Sequence, residues 1–140
     1  MKIVLDTNVL VAGALNPRGT PANILNLILN EEVTLCYDDR IINEYRRVLK
    51  RDKFTLDPGA VDILVIHIED RGERTDAKPL AVAINDPDDV MFYEVLKSSG
   101  ADFLVTGNTK HFKQIKDKRI VTPAVFMAKY FEADELSPPS

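Results

Sequence analysis

The sequence predicts an α/β protein in which a mostly parallel sheet is covered by helices on both faces. Three observations predict it. Short runs of β-branched and aliphatic residues alternate along the chain with longer segments of helical periodicity. Two of the short runs stop in oxygen-bearing residues: "KIVL" runs into Asp6, Thr7 and Asn8, and "DFLV" into Thr106, Gly107 and Asn108. In an open α/β sheet the C-terminal strand ends face the ligand crevice, so these positions are functional candidates. At 140 residues, 45% of them hydrophobic, the chain is long enough for one domain with one core and short for two.

"KIVLD" reads as the first strand, because so short an apolar run at the chain start needs a sheet partner. Asp6 and Asn8 each admit two readings there, a cap for the next turn or a functional oxygen ligand. "PANILNLILNEE" reads as a helix and "VTLCY" as a second strand, in which Cys36 packs as a small hydrophobe. "DDRIINEYRRVLKR" is a helix begun by an aspartate cap, and "DPGAVDILVIHIEDRG" a helix with Pro58 near its first turn and Gly72 at its end. "AKPLAVAIND" fits a strand or a loop. Next come a helix in "DPDDVMFYEVLKSSG", a strand in "DFLVTG", a short helix near "TKHFKQI", a strand in "RIVTP" and a last helix in "PAVFMAKYF". Residues 1–131 are expected to form the domain, and 132–140, ending in "ELSPPS", a loose tail.

Composition excludes several classes. The apolar runs are broken well before the ~18 residues of a membrane span, and no basic segment precedes the first strand, so a soluble cytoplasmic protein with no membrane partner is expected. A single cysteine gives no disulfide or zinc framework. The net charge of −4 argues against non-specific coating of nucleic acid, but the basic residues cluster. Arg40, Arg46, Arg47, Lys50, Arg51 and Lys53 form one group, and Lys110, Lys113, Lys116, Lys118 and Arg119 another. Either group reads as an ordinary solvated helix face or as a phosphate-binding surface.

The acidic residues are placed by helical periodicity. Ile41, Ile42, Tyr45, Val48 and Leu49 make an apolar stripe, and Glu44 falls at its edge beside Ile41 and Val48. A carboxylate there reaches water, pairs with Arg47 or Lys50, or faces a cation in a cleft. Asp86 followed by Pro87 is an N-cap and first-turn combination, so Asp86 and Asp88 need no catalytic role. Asp89 lies next to Leu96 on the border of the stripe made by Met91, Phe92, Val95 and Leu96, and is aimed toward the sheet. Converging carboxylates repel unless a cation offsets them, and oxygen ligands without a His or Cys set suit Mg²⁺ or Mn²⁺. A glycosidase would need no third or fourth oxygen ligand. A phosphatase using Asp6 as nucleophile would want a second aspartate at position 8, which is Asn8.

"VLDTNVLVAG", "RIINEYRRVLKRDKF" and "DPDDVMFYEVLKSSGADFLVTGN" together resemble the PIN domain family, in particular the VapC-like ribonuclease toxins of prokaryotic toxin–antitoxin pairs. The resemblance covers the chain from Lys2 to about Phe131. It implies a doubly wound parallel sheet of order 3-2-1-4-5 and a Mg²⁺- or Mn²⁺-dependent endoribonuclease, in which metal-activated water cleaves RNA phosphodiesters to leave a 5′-phosphate and a 3′-hydroxyl. Carried over by position, Asp6, Glu44 and Asp89 are the catalytic and metal-binding carboxylates, with Asn108 as a further metal ligand and Asn8, Asp86 and Thr106 in support. Asn108 departs from the pattern, since many PIN domains carry aspartate there; an amide oxygen ligates without adding charge, which leaves open a one-metal or low-activity site. A catalytically weak module that binds RNA or protein is the alternative. Arg47, Lys50 and Lys110 are the RNA-backbone candidates, and a phosphate contact or plain surface exposure is open to His111. The implied partners are RNA, a cognate antitoxin and a second copy of the chain, with the apolar faces of "ILNLIL" and "VDILVIHI" as candidate contact surfaces.

Overall fold

The computed structural model describes residues 1–82, 84 and 86–136. Strands β1 (Lys2–Leu5), β2 (Thr34–Tyr37), β3 (Glu73–Arg74), β4 (Phe103–Val105) and β5 (Ile120–Val121) form one parallel sheet in the order β3-β2-β1-β4-β5. The expected doubly wound order is therefore the observed one. Helices α1 (Thr7–Leu15), α2 (Thr20–Leu29), α3 (Asp39–Leu49), α4 (Pro58–Arg71), α5 (Pro87–Ser99) and α6 (Pro123–Leu136) cover it. Helix α5 packs on β1, β2 and β4, while α3 and α4 reach β2 and α6 reaches β4.

The central strand buries Ile3, Val4 and Leu5, and Leu104 and Val105 on β4 beside them are buried too. Near-continuous apolar runs suit strands covered on both faces. Each buried side chain of this size contributes about 1.5–3 kcal/mol relative to exposure. The strand order reverses direction between β1 and β4, and a ligand crevice is expected at the carboxyl ends of those two strands. Cys36 is buried within β2, and burial pushes its thiol up to about 11, so it stays protonated.

Three elements differ from the sequence expectation. "TNVLVAGAL" forms α1 directly after β1, where no helix is expected: Thr7, Val9, Leu10, Val11 and Gly13 are all buried, so the segment shows no polar face and no helical period. The third strand is only Glu73–Arg74, two charged residues paired with Cys36 and Tyr37; the described part of "AKPLAVAIND" is irregular, with Ala83 and Asn85 outside the described residues. Helix α6 continues past Phe131 to Leu136, while residues 137–140 of the expected tail lie outside the described residues.

Aspartate caps begin two helices as the sequence suggests, Asp38 accepting from the amide of Ile41 at 3.1 Å and Asp86 from Asp88 at 2.9 Å, and Asp57 caps a third, accepting from Ala60 at 2.9 Å. Gly72 follows α4 for a packing reason. A Cβ there would stand 2.6 Å from the Leu35 carbonyl oxygen and 2.7 Å from that of Ile68. The irregular segment before α5 is pinned by buried Glu94, which accepts from the Leu80 amide at 2.7 Å and from the Arg40 guanidinium at 2.8 Å. A carboxylate 4% exposed is tolerable only with such partners.

Of the two apolar faces singled out in the sequence, that of α2 is largely consumed by the core, with Ala22, Ile24, Leu25 and Ile28 buried. Helix α4 leaves Ile63 and Ile66 exposed. Among the described residues, no helix is long and apolar enough to cross a membrane.

Tyr45 locks α3 onto the central strand: its side chain is fully buried and its hydroxyl donates to the Leu5 carbonyl, one residue before Asp6. Tyr45→Phe leaves that carbonyl without its donor and is expected to lower stability by about 1–3 kcal/mol, read as a reduced urea midpoint at unchanged m-value.

Candidate active site

The chain turns sharply at Asp6. Its amide donates to the Val105 carbonyl at 3.0 Å, completing the β1–β4 pairing, and its own carbonyl accepts from Val9 and Leu10 to start α1. Asp6 thus holds the N-cap backbone position, yet its side chain makes no capping hydrogen bond. The carboxylate turns instead toward β4 and accepts from the Thr106 hydroxyl at 2.7 Å. Of the two readings left open by the sequence, the side-chain cap is not made, and the carboxylate faces the crevice instead.

Asp6, Asn8, Glu44, Asp86, Asp89 and Asn108 line one crevice of about 170 Å³, together with Thr7, Val48, Arg51, Asp88, Phe92 and His111. Glu44 is brought there by α3 and accepts from the Thr7 hydroxyl, with the Arg47 guanidinium 3.6 Å away. Asp89 is brought there by α5 and lies 2.9 Å from His111 Nδ1. Thr106 is fully buried outside the crevice lining; its hydroxyl also accepts from the Asn108 amide at 3.0 Å, so one side chain orients both Asp6 and the loop carrying Asn108.

Among the described residues, no group of three or more His, Cys, Asp or Glu side chains sits close enough together to hold a metal ion. The hydrogen bonds give the physical reason: each of the three carboxylates leans on its own donor, Asp6 on Thr106, Glu44 on Thr7 and Asp89 on His111. The donor types still suit a hard divalent cation, being carboxylates with one amide oxygen in a single crevice. Electrostatics point the same way. Burial raises the Asp6 carboxyl above its ordinary 3.8, opposed by Thr106 and reinforced by the nearby charge of Asp89. Asp89 is likewise raised, by burial first, with His111 opposing and Asp86 reinforcing. Asp117, held by Arg119, is lowered to about 2, as a well-paired carboxylate is.

The basic candidates are placed unequally. Arg47 is exposed beside Glu44, and Lys110 is exposed on the short 3₁₀ turn Thr109–Phe112 that follows Asn108. Lys50 is 2.7 Å from Asp62 of α4 and does not line the crevice, whereas Arg51 does. Arg51 enters the sequence analysis only as one member of a basic group; the structure ends α3 at Leu49, and the turn beyond it brings Arg51 to the crevice. Thr7 is a sequence candidate only as part of the polar stop after β1; its partner Glu44, 37 positions away, is not legible there.

A family model of the PIN domain matches residues 2–110. The chain belongs to the PIN domain family. No curated protein sequence matches it closely. Among solved structures, this PIN domain is similar to a chain in the crystal structure of VapBC2 from Rickettsia felis bound to a DNA fragment from their promoter. The TM-score is 0.58 at 20% identity, covering 87% of this chain and 98% of that one, a likeness of fold.

A carboxyl group whose pKa is raised on folding favours the folded state at low pH, and that contribution is lost as pH rises through the raised value. Ionised Asp6 therefore costs stability at neutral pH. Asp6→Asn keeps an acceptor for Thr106 and is expected to raise the melting temperature of the metal-free protein by about 1–4 °C at pH 7. The difference should close as pH falls below about 4, where the wild-type carboxyl is protonated.

Proposed function

We propose that this PIN domain is a Mg²⁺- or Mn²⁺-dependent endoribonuclease, the toxin of a toxin–antitoxin pair. The observation that carries the reading is the convergence of Asp6, Glu44 and Asp89, from three separate elements, on one crevice at the carboxyl ends of β1 and β4. Family membership supports it. Two of these carboxyls are raised by burial, so their arrangement costs stability that a ligand would restore.

In this reading Asp6, Glu44 and Asp89 offer carboxylate oxygens to the cation and Asn108 an amide oxygen. A bound divalent cation would polarise the scissile phosphate and lower the pKa of a water beside it. Thr106 fixes the rotamer of Asp6, and Thr7 that of Glu44. Asp86 starts α5 and adds negative charge next to Asp89, while exposed Asn8 sits at the rim for polar contact with the RNA. Arg47, Lys110 and Arg51 neutralise the RNA backbone, which sets affinity rather than sequence choice. Lys50 joins them by releasing Asp62.

The neutral Asn108 favours a second reading, a weakly active module that binds RNA or protein. The experiment that separates the two is cleavage of single-stranded RNA by rigorously purified protein. The nuclease reading predicts Mg²⁺- or Mn²⁺-dependent products with 5′-phosphates, and a loss of at least about 100-fold in Asp6→Asn. Cleavage that disappears on purification, or that Asp6→Asn leaves intact, favours the binding module.

The partners follow from the same reading. A cognate antitoxin neutralises the acidic crevice with an inserted basic side chain, and a second copy of the chain covers Ile63 and Ile66 of α4. Sedimentation is expected to show a dimer at micromolar concentration, and the product of the adjacent gene to suppress cleavage. A clean monomer removes the dimer, and full activity with excess neighbour protein removes the antitoxin.

A further inference from the structure

We infer that the exposed lysines of the loop between β4 and β5 form a phosphate-docking ridge that carries single-stranded RNA away from the crevice. The inference rests on the ribonuclease reading above and adds to it the extent of the substrate. Segment 109–119 holds four lysines and one arginine against a single aspartate, in a chain whose net charge is −4. That aspartate is already taken: Asp117 accepts from the Arg119 guanidinium at 2.6 Å and from the Tyr93 hydroxyl at 3.1 Å. Lys110, Lys113, Lys116 and Lys118 are all exposed, and among the described residues none of them is in an ion pair. Elsewhere on the surface Lys2, Arg40, Lys50, Arg71 and Arg74 each hold a carboxylate at 2.6–2.8 Å.

Topology strings these charges along a path. Strands β4 and β5 are parallel neighbours, so the chain leaves the carboxyl end of β4 beside the crevice and must run back before β5 starts. Lys110 stands next to His111 at the crevice wall. Lys118 stands at the far end beside Arg119, whose carbonyl accepts from the Leu104 amide, while Val121 accepts from Thr106 at the crevice level. Those two rungs are about 7 Å apart along the strand. The run between them is held in place: Phe112 is buried, Ile115 packs on the core, and the amides of Ile115, Asp117 and Ile120 donate to carbonyls within the loop. A fixed ridge presents its charges without the ordering cost of a loose loop. A phosphodiester strand leaving the crevice on this side meets the lysines in succession. Lysine is a compact point charge, which tracks a line of phosphates without the bidentate geometry of an arginine–carboxylate pair. The ridge exposes no aromatic ring on which bases could stack, Phe112 being buried, so the contact is to the backbone and independent of sequence.

The test measures binding of the full chain to a fluorescent oligouridylate of about 12 nucleotides over a salt series, in EDTA so that no bond is cleaved. The variant is Lys113→Gln, Lys116→Gln and Lys118→Gln combined; all three side chains are exposed, so it is expected to fold, which circular dichroism checks. Each phosphate neutralised on a single strand contributes about 0.7 to the slope of log affinity against log salt, so the variant is expected to lose about 2 from that slope. Affinity at low salt should fall at least about tenfold, by the same factor for an RNA of mixed sequence. An RNA of about 4 nucleotides, measured by competition, is too short to fill crevice and ridge together, and wild type and variant should bind it within about twofold of each other. An unchanged slope, an equal loss on the short RNA, or a wild type that binds neither RNA overturns the ridge. Unchanged RNA binding with lost binding to an oligoglutamate assigns the loop to an acidic protein and overturns it as well. Restoring Mg²⁺ or Mn²⁺ and reading cleavage by the wild type keeps the two failures apart: cleavage without the lysine effect removes this inference alone, and absence of cleavage removes the nuclease reading.

Discussion

The joint between β1 and β4 is the interaction on which the rest depends. At that joint the Asp6 amide closes the last rung of the pairing, and the Thr106 hydroxyl holds the Asp6 carboxylate at 2.7 Å. The same hydroxyl accepts from Asn108, and the Thr106 amide donates to Val121, so the three strands β1, β4 and β5 end in one connected polar seam. Above the seam lies the crevice; below it Leu5, Leu104 and Val105 are buried. The sheet's reversal of strand order opens the crevice at this point, and the seam decides which oxygens face into it.

Around this joint the fold accepts an electrostatic cost. Three acidic side chains from β1's end, α3 and α5 share one crevice, and the Arg47 contact to Glu44 at 3.6 Å is looser than the 2.6 Å pairing that Asp117 finds in Arg119. Neutral hydroxyls and one histidine hold them instead. Hydroxyl donors fix direction without cancelling charge, which leaves the crevice negative and receptive to a cation. Elsewhere the chain pairs its charges: Arg40 with Asp38 and buried Glu94, Lys50 with Asp62, Arg74 with Asp39. The contrast separates charges paired within the fold from carboxylates held by neutral donors.

Much of the fold and of the candidate site was legible in the sequence because it rests on local periodicity. Glu44 and Asp89 sit on the borders of apolar stripes, and a helix of 3.6 residues per turn carries such border residues toward whatever the stripe packs on. Asp6 was legible as a polar stop after an apolar strand. What escaped was either without period or long-range. Helix α1 has no polar face beyond its first residues Thr7 and Asn8, so nothing in its pattern separates it from a continued strand. Strand β3 is two charged residues whose place comes wholly from pairing with β2. Lys50 turns to Asp62, and Thr7 to Glu44, through contacts between elements that no spacing within one element encodes. His111 carried no motif of its own; its significance is its position against Asp89, 22 residues earlier.

In the proposed function the seam and the two helices assemble a cation site between β1 and α5. Anomalous diffraction from crystals of this PIN domain soaked in Mn²⁺ tests it most directly. A peak is expected within bonding distance of carboxylate oxygens of Asp6 or Asp89, inside the crevice also lined by Glu44 and Asn108. Well-diffracting crystals that show no peak there, or Mn²⁺ bound only at other surface carboxylates, would contradict it.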